Sequence, residues 1–263
     1  MVAPLPAGPV TVTGETLAEL RTIARAAGQA ILAHYHADVA VTQKGDRGPV
    51  TAADHAAHAV IVTALAALDP VTPVISEEGD LPDPATRQRW SRFWLVDPLD
   101  GTKEFLHRNG EFTVNIALIE QGIPVLGVIH APALGTTWFA GDGLGAWRQD
   151  GDTEPVRIHS APPAPGQPLR VAESRSHPSP ELEAWLQTVP VAARVGVGSS
   201  LKFCLVAEGL ADVYPRLGPT MEWDVAAGDC IYRHSGAPHP RSSPLVYNQP
   251  DLRNPGFILG LEA

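Results

Sequence analysis

Residues 93–102 read Phe93-Trp94-Leu95-Val96-Asp97-Pro98-Leu99-Asp100-Gly101-Thr102. Four large apolar residues stopped by Asp-Pro read as a short buried strand ending at Asp97. Asp97-Pro98-Leu99-Asp100-Gly101 is also a good turn, because Pro fixes one backbone torsion and Gly frees another. Thr102 suits the cap of a short helix over residues 103–107. Two carboxylates three residues apart, across a stiff turn at a strand end, can face one cleft. Taken alone, the segment is as much a turn as a site.

On the N-terminal side, residues 16–34 carry Leu17, Leu20, Ile23, Ala24, Ala27 and Ile31 on one helical face, with Thr16 and Glu19 spaced for a capping box. Lys44 lies in a polar Gly-containing loop over residues 43–49. A second helix begins near Thr51, carries Ala57, Val60, Ile61, Ala64, Leu65 and Leu68 on its apolar side, and stops at Pro70. Val74-Ile75-Ser76 is a strand running into Glu77-Glu78-Gly79. On the C-terminal side, residues 112–120 and 124–129 are strands joined at Gln121-Gly122. The glycine run Gly141-Asp142-Gly143-Leu144-Gly145 lies between strands and lacks the Lys-Ser/Thr of a phosphate loop, so it reads as a hairpin turn. A Pro- and Gly-rich connector over residues 161–168 separates two halves, 1–160 and 161–263, of one catalytic unit. The second half alternates strands (169–171, 194–197, 211–214) with helices (180–187, 199–208, 223–234). Mixed strands, helices and hairpins imply a layered α/β or α+β sandwich.

Five acidic residues stand at strand ends or helix starts: Asp54, Glu77, Asp97, Asp100 and Asp224. Each has an ordinary reading, Asp54 as part of a capping box and Asp224 as an N-cap. Together they are harder to explain structurally. Two unit charges about 5 Å apart repel by roughly 3 kcal/mol at an effective dielectric near 20. A cluster of this kind needs protons or cations, and hard oxygen ligands without a His-Cys set favour Mg²⁺ over zinc. His34-x-His36 and His55-x-x-His58 offer no third ligand at a metal-binding spacing.

Three motifs occur in order: Glu77-Glu78-Gly79, residues 94–102, and Trp223-Asp224-Val225-Ala226-Ala227-Gly228. This set resembles the signature of the inositol monophosphatase superfamily. Residues 101–105, 108–115, 198–204, 214–220 and 254–257 further resemble its bacterial 3′(2′),5′-bisphosphate nucleotidase branch. The resemblance implies an α-β-α-β-α layered sandwich and a lithium-sensitive phosphatase. It implies hydrolysis of the 3′-phosphate of adenosine 3′,5′-bisphosphate to AMP and phosphate, with 3′-phosphoadenylyl sulfate as a second substrate and a link to sulfur assimilation. Two to three Mg²⁺ ions are implied, held by Glu77, Asp97, the Leu99 carbonyl, Asp100 and Asp224, with Asp97 bridging. Thr102, paired with Asp54, would orient and deprotonate the attacking water. Glu77, Leu99, Asp100, Gly101, Thr102, Ser199, Lys202 and Asp224 would contact the substrate. Activity on inositol or fructose bisphosphate substrates, on the same scaffold, is the competing enzymatic reading, and a non-catalytic metal- or nucleotide-binding regulator is the third. The pattern departs from the superfamily at Ser235-Gly236-Ala237, which has one glycine where many members have two.

The chain has 263 residues, 44% of them hydrophobic and 18% charged, with a formal net charge of −10. This is a globular composition. The acidic balance argues against a nucleic-acid partner. Cys204 and Cys230 lie in apolar helical patterns and read as buried thiols. No segment has the length or apolarity of a membrane span, and the start lacks a signal-peptide pattern, so a cytoplasmic enzyme is expected. The sequence leaves the oligomeric state open.

Overall fold

The structure is a computed structural model describing residues 8–35, 41–43, 49–176, 179–236 and 241–261. Helix α1 (Gly14–Tyr35) is followed by the short strands β1 (Val41–Gln43) and β2 (Pro49–Thr51) and by helix α2 (Ala52–Leu68). Then come β3 (Val74–Ser76), α3 (Pro84–Arg87), β4 (Arg92–Asp100), α4 (Thr102–Leu106), β5 (Thr113–Glu120), β6 (Ile123–Ala131), β7 (Thr136–Gly141), β8 (Gly145–Asp150) and β9 (Val156–Arg157). The remainder is β10 (Leu169–Ser174), α5 (Pro180–Leu186), β11 (Val191–Val197), α6 (Leu201–Ala207), β12 (Tyr214–Arg216), β13 (Thr220–Met221), α7 (Glu222–His234), β14 (Arg253–Asn254) and β15 (Phe257–Leu259).

Strands β3 to β9 form one seven-stranded sheet in sequence order. Only the β3–β4 pair is parallel; the others are antiparallel, with short hairpin connections from β5 to β9 and a longer one carrying α4 between β4 and β5. Alternation along β4 and β5 divides the core in two. Trp94, Val96, Val114, Ile116 and Leu118 face the α1–α2 pair. Phe93, Leu95, Ala117 and Ile119 face α6 and α7. Both faces are covered, so these strands read as unbroken apolar runs. Gly127 of β6 admits α7 closely, since a Cβ there would lie 2.6 Å from the Cβ of Cys230. A second sheet pairs β10 with β11 in parallel and β12 with β15 antiparallel, and a bridge from Val171 to Val213 joins the two pairs. Helix α5 packs Leu182 and Leu186 on its outer face. The order is helix pair, large sheet, α6–α7, small sheet, α5: the five layers implied by the resemblance.

Several local expectations shift. Helix α1 starts two residues early, and Thr13 takes the capping role: its Oγ1 accepts from the Thr16 N–H at 3.1 Å, while Thr16 is buried inside the helix. The Thr16–Glu19 capping box is therefore corrected. Asp224 is not an N-cap; it is the third residue of α7, and its Oδ2 accepts from the Met221 N–H at 3.0 Å. Helix α3 and the two-residue strands β9, β13 and β14 carry no periodic sequence signal at that length. Lys44 and residues 237–240 lie outside the described residues. Both cysteines are free and buried, as expected.

Candidate active site

The turn after β4 is a β-bulge. Asp97 pairs with Asn115 and Asp100 with Thr113, so three steps on β4 oppose two on β5. Strict alternation would put Asp97 and Asp100 on opposite faces of the sheet. The extra residue restores both to the α6–α7 side. Pro98 makes the bulge stiff, and the Leu99 N–H donates to Asp97 Oδ1 at 3.1 Å, closing the turn on its own carboxylate. Gly101 then adopts φ +90°. A side chain there would be strained and would strike Ser199 Oγ at 2.6 Å. Gly101 is thus the N-cap of α4, and Thr102 is its first residue rather than its cap.

A cleft of about 410 Å³ opens at this point. Glu77, Asp97, Asp100 and Asp224 line its floor, brought there by the end of β3, the bulge and the first turn of α7. Leu99, Gly101, Thr102, Ser199 and Lys202 line it as well. Every residue expected at the site from the sequence is in this lining except Asp54. The four carboxylates carry the electrostatic strain expected of them. Burial, then repulsion from Asp224, Glu78 and Asp100, lifts the Glu77 pKa to about 8. Asp97 is raised well above the carboxylate range, first by burial and then by Glu77, Asp100 and Asp224. Asp224 is pushed to about 7 by burial and by Asp100. Asp100 reaches about 6: burial raises it, while Lys202, the Ser200 N–H and Asn115 hold it down. Among the described residues no three His, Cys, Asp or Glu side chains are drawn into a ready metal cage. Glu77 and Asp97 are within hydrogen-bond reach of each other, and all four carboxylates line one basin.

Asp54 sits behind this floor. Its Oδ2 accepts from the Thr51 N–H at 2.8 Å and the Thr51 hydroxyl at 2.6 Å, completing the capping box of α2. Its charge is felt at Asp97, and burial raises its own pKa. No hydrogen bond joins Asp54 to Thr102 among the described residues. His58, one turn along α2, bonds Ser76 Oγ through Nδ1 at 2.8 Å and ties that helix to the strand bearing Glu77. The two histidines of this helix therefore serve the scaffold or Glu78.

The C-terminal half closes the cleft. Lys202 is buried on α6, its Nζ donating to Ser199 O at 2.6 Å and facing Asp100. Burial lowers its pKa to about 8, and Asp100 opposes that shift. Glu111 joins the halves: its carboxylate takes both Arg175 Nε and Nη2 at 2.8 Å and the Gly198 N–H at 2.9 Å, and its carbonyl accepts from Ser199 Oγ. The Ser200 hydroxyl lies 2.8 Å from Thr113 Oγ1 and donates to Asn115 Oδ1 at 2.8 Å, linking α6 to β5 under Asp100. Two cationic residues of the lining, Arg216 and Arg253, were not singled out from the sequence. Each is an isolated arginine in a short strand, with nothing local to mark it.

A family model described as the inositol monophosphatase family matches residues 14–258. The 3′(2′),5′-bisphosphate nucleotidase CysQ of Escherichia coli K12 is 48% identical over 245 residues, covering 91% of this chain and 97% of that protein. CysQ of Salmonella typhimurium is 51% identical over 224 residues, 84% of this chain and 88% of that protein. The crystal structure of CysQ from Bacteroides thetaiotaomicron aligns with a TM-score of 0.76 at 41% identity, covering 93% of this chain and 96% of that one. Sequence and fold agree, and the chain belongs to the inositol monophosphatase family.

Proposed function

We propose that this chain is a Mg²⁺-dependent phosphomonoesterase that removes the 3′-phosphate of adenosine 3′,5′-bisphosphate, giving AMP and inorganic phosphate, with 3′-phosphoadenylyl sulfate as a second substrate. The observation that carries the reading is the buried acidic floor: burial raises all four carboxylates, repulsion from one another adds to this at Glu77, Asp97 and Asp224, and Glu104 adds to it at Asp100. A protein gains nothing in stability from such a set unless something neutralises it. Its donors are carboxylate and carbonyl oxygens, which suit Mg²⁺. Glu77, Asp97, the Leu99 carbonyl, Asp100 and Asp224 would hold two to three ions, with Asp97 shared. The bound cations would supply charge neutralisation at the phosphoryl oxygens and a lowered pKa for the attacking water.

The chain's own groups complete the chemistry. Thr102 opens α4 at the cleft, where the first backbone N–H groups of the helix have no internal partners. There it orients the attacking water. Asp54, whose burial raises its pKa toward that of a working base, takes up the proton. Lys202 and the Ser199–Ser200 turn hold Asp100 in place from the other half. No Ser, Cys or His is positioned as a nucleophile in the lining's acidic end, and water attacks phosphorus directly, breaking the bond to the ribose 3′-oxygen.

The names of the CysQ relatives support the nucleotide reading and its link to sulfur assimilation. No described helix is long and apolar enough to cross a membrane, which accords with a cytoplasmic enzyme. The deciding assay measures phosphate release from adenosine 3′,5′-bisphosphate, inositol 1-phosphate and fructose 1,6-bisphosphate side by side with Mg²⁺. The largest kcat/KM is expected for the nucleotide. A larger value for inositol 1-phosphate would overturn the assignment.

A further inference from the structure

We propose that Arg253 is a specificity-determining residue that pairs with the second, non-scissile anionic group of the substrate at the cleft rim. The proposal rests on the bisphosphate reading above and assigns that group a partner. Arg253 lines the same cleft as the acidic floor. Its side chain is exposed, and among the described residues its guanidinium makes no hydrogen bond or ion pair. In a chain of net charge −10, an exposed arginine on a cleft lined by carboxylates has acidic groups in the same cleft that it does not use. Lys202 is different: it is buried and committed to the Ser199 carbonyl and Asp100. Arg216 is partly committed as well, to Pro219 O at 3.4 Å.

The backbone that presents Arg253 is held with unusual care. Strand β14 pairs Arg253 with Met221 of β13, one residue before α7 begins. The Glu222 N–H donates to Leu252 O at 2.8 Å. The Glu222 carboxylate, fully buried, accepts from the Asn248 N–H at 2.8 Å and the Gln249 N–H at 2.7 Å. Buried Arg87 donates to Gln249 O at 2.6 Å and to Pro250 O, while Asn248 Nδ2 returns a bond to Arg87 O at 2.8 Å. Gln249 Nε2 holds Arg253 O at 2.6 Å. Asn248 and Leu252 both sit at positive φ, +67° and +56°. Two strained residues in a five-residue span persist only where surrounding contacts over-determine them, and such spans concentrate at functional sites. The strained loop and its buried hydrogen bonds fix the backbone of Arg253 to the same helix start that carries Asp224. The point from which the guanidinium reaches into the cleft is therefore set by the fold rather than by a flexible loop.

A guanidinium recognises a phosphate or sulfate oxygen pair through two parallel N–H bonds. A substrate with one phosphate engages only the acidic end; one with two engages both. The test measures kcat/KM for adenosine 3′,5′-bisphosphate and for adenosine 3′-monophosphate in the wild type, Arg253→Ala, Arg253→Lys and Arg253→Glu, at fixed Mg²⁺ and two salt concentrations. The wild type should prefer the bisphosphate. In Arg253→Ala the ratio of the two values should fall about fivefold to tenfold, through KM rather than kcat. Lys should restore part of the ratio, Glu should lower it further, and added salt should compress the differences. An unchanged ratio in Arg253→Ala, with the wild-type preference intact, would overturn the role of Arg253 alone. A wild type without preference for the bisphosphate would instead overturn the substrate reading on which it rests.

Discussion

Binding of Mg²⁺ near neutral pH should expel about two protons from the protein. The number follows from the acidic floor. Near pH 7, Glu77 with a pKa of about 8 is mostly protonated, Asp224 at about 7 is half protonated, and Asp100 at about 6 is mostly ionised. Asp97 is shifted in the same direction, by burial and by Glu77. Divalent cations take carboxylates in their ionised form, so these protons leave as the metal enters. Isothermal titration calorimetry in two buffers of different ionisation enthalpy counts them directly. The count should rise toward about three near pH 6 and fall below two near pH 9 as the floor ionises unaided. The same shifts fix the sign of stability. Each group's folded pKa lies above its unfolded value, so the folded state holds more protons. Its stabilising contribution is complete below about pH 4 and is lost as pH rises through the folded values. Without metal, the chain should lose on the order of 3 kcal/mol, roughly 10 °C in Tm, between about pH 5 and pH 8, after allowing for water's access to the cleft. Mg²⁺ should reverse that loss. Buffer-independent heats near pH 7, with a flat metal-free Tm, would refute the picture of a proton-filled floor awaiting cations.

Asp97→Asn should abolish turnover, measured as phosphate release, while the metal-free protein melts about 3 °C or more above the wild type, because one of the repelling charges is gone. Glu111→Ala should cost about 1–3 kcal/mol by denaturant unfolding, since it strands Arg175 and the Gly198 N–H together; it should also lower kcat by loosening Ser199 beside Gly101.

The acidic floor was legible because each of its members follows a strong local signal: a strand end, a Pro-Gly turn or a helix start. Asp97 and Asp100 could be paired from spacing alone, and Glu77 and Asp224 joined them by their places at a strand end and a helix start, with the resemblance assigning their roles. What made the spacing work was not legible. The bulge that sets both aspartates on one side depends on pairing with β5, and no property of residues 97–100 by themselves records it. Lys202 was expected at the site and lines the cleft; its bond to the Ser199 carbonyl, which burial of an ammonium demands, was not legible. The capping box of Asp54 was legible from its spacing to Thr51, which offers it two donors at close range. Arg216 and Arg253 escaped notice because strands of two or three residues have no periodicity, and an arginine's role is set by what lies across the cleft.

The bulge also makes the centre all-or-none with respect to chain length. Side-chain direction in a strand has two values, like an odd or even count, and the extra residue between Asp97 and Asp100 switches that count once. Removing a single residue from this stretch would leave a regular ladder to β5, an intact apolar core on both faces and a protein that folds. It would also turn Asp100 toward α1 and α2, away from Lys202 and Asp224. A length change of one residue can therefore separate folding from catalysis here more cleanly than most substitutions, and the two aspartates are bound to each other by the number of residues between them as firmly as by any contact.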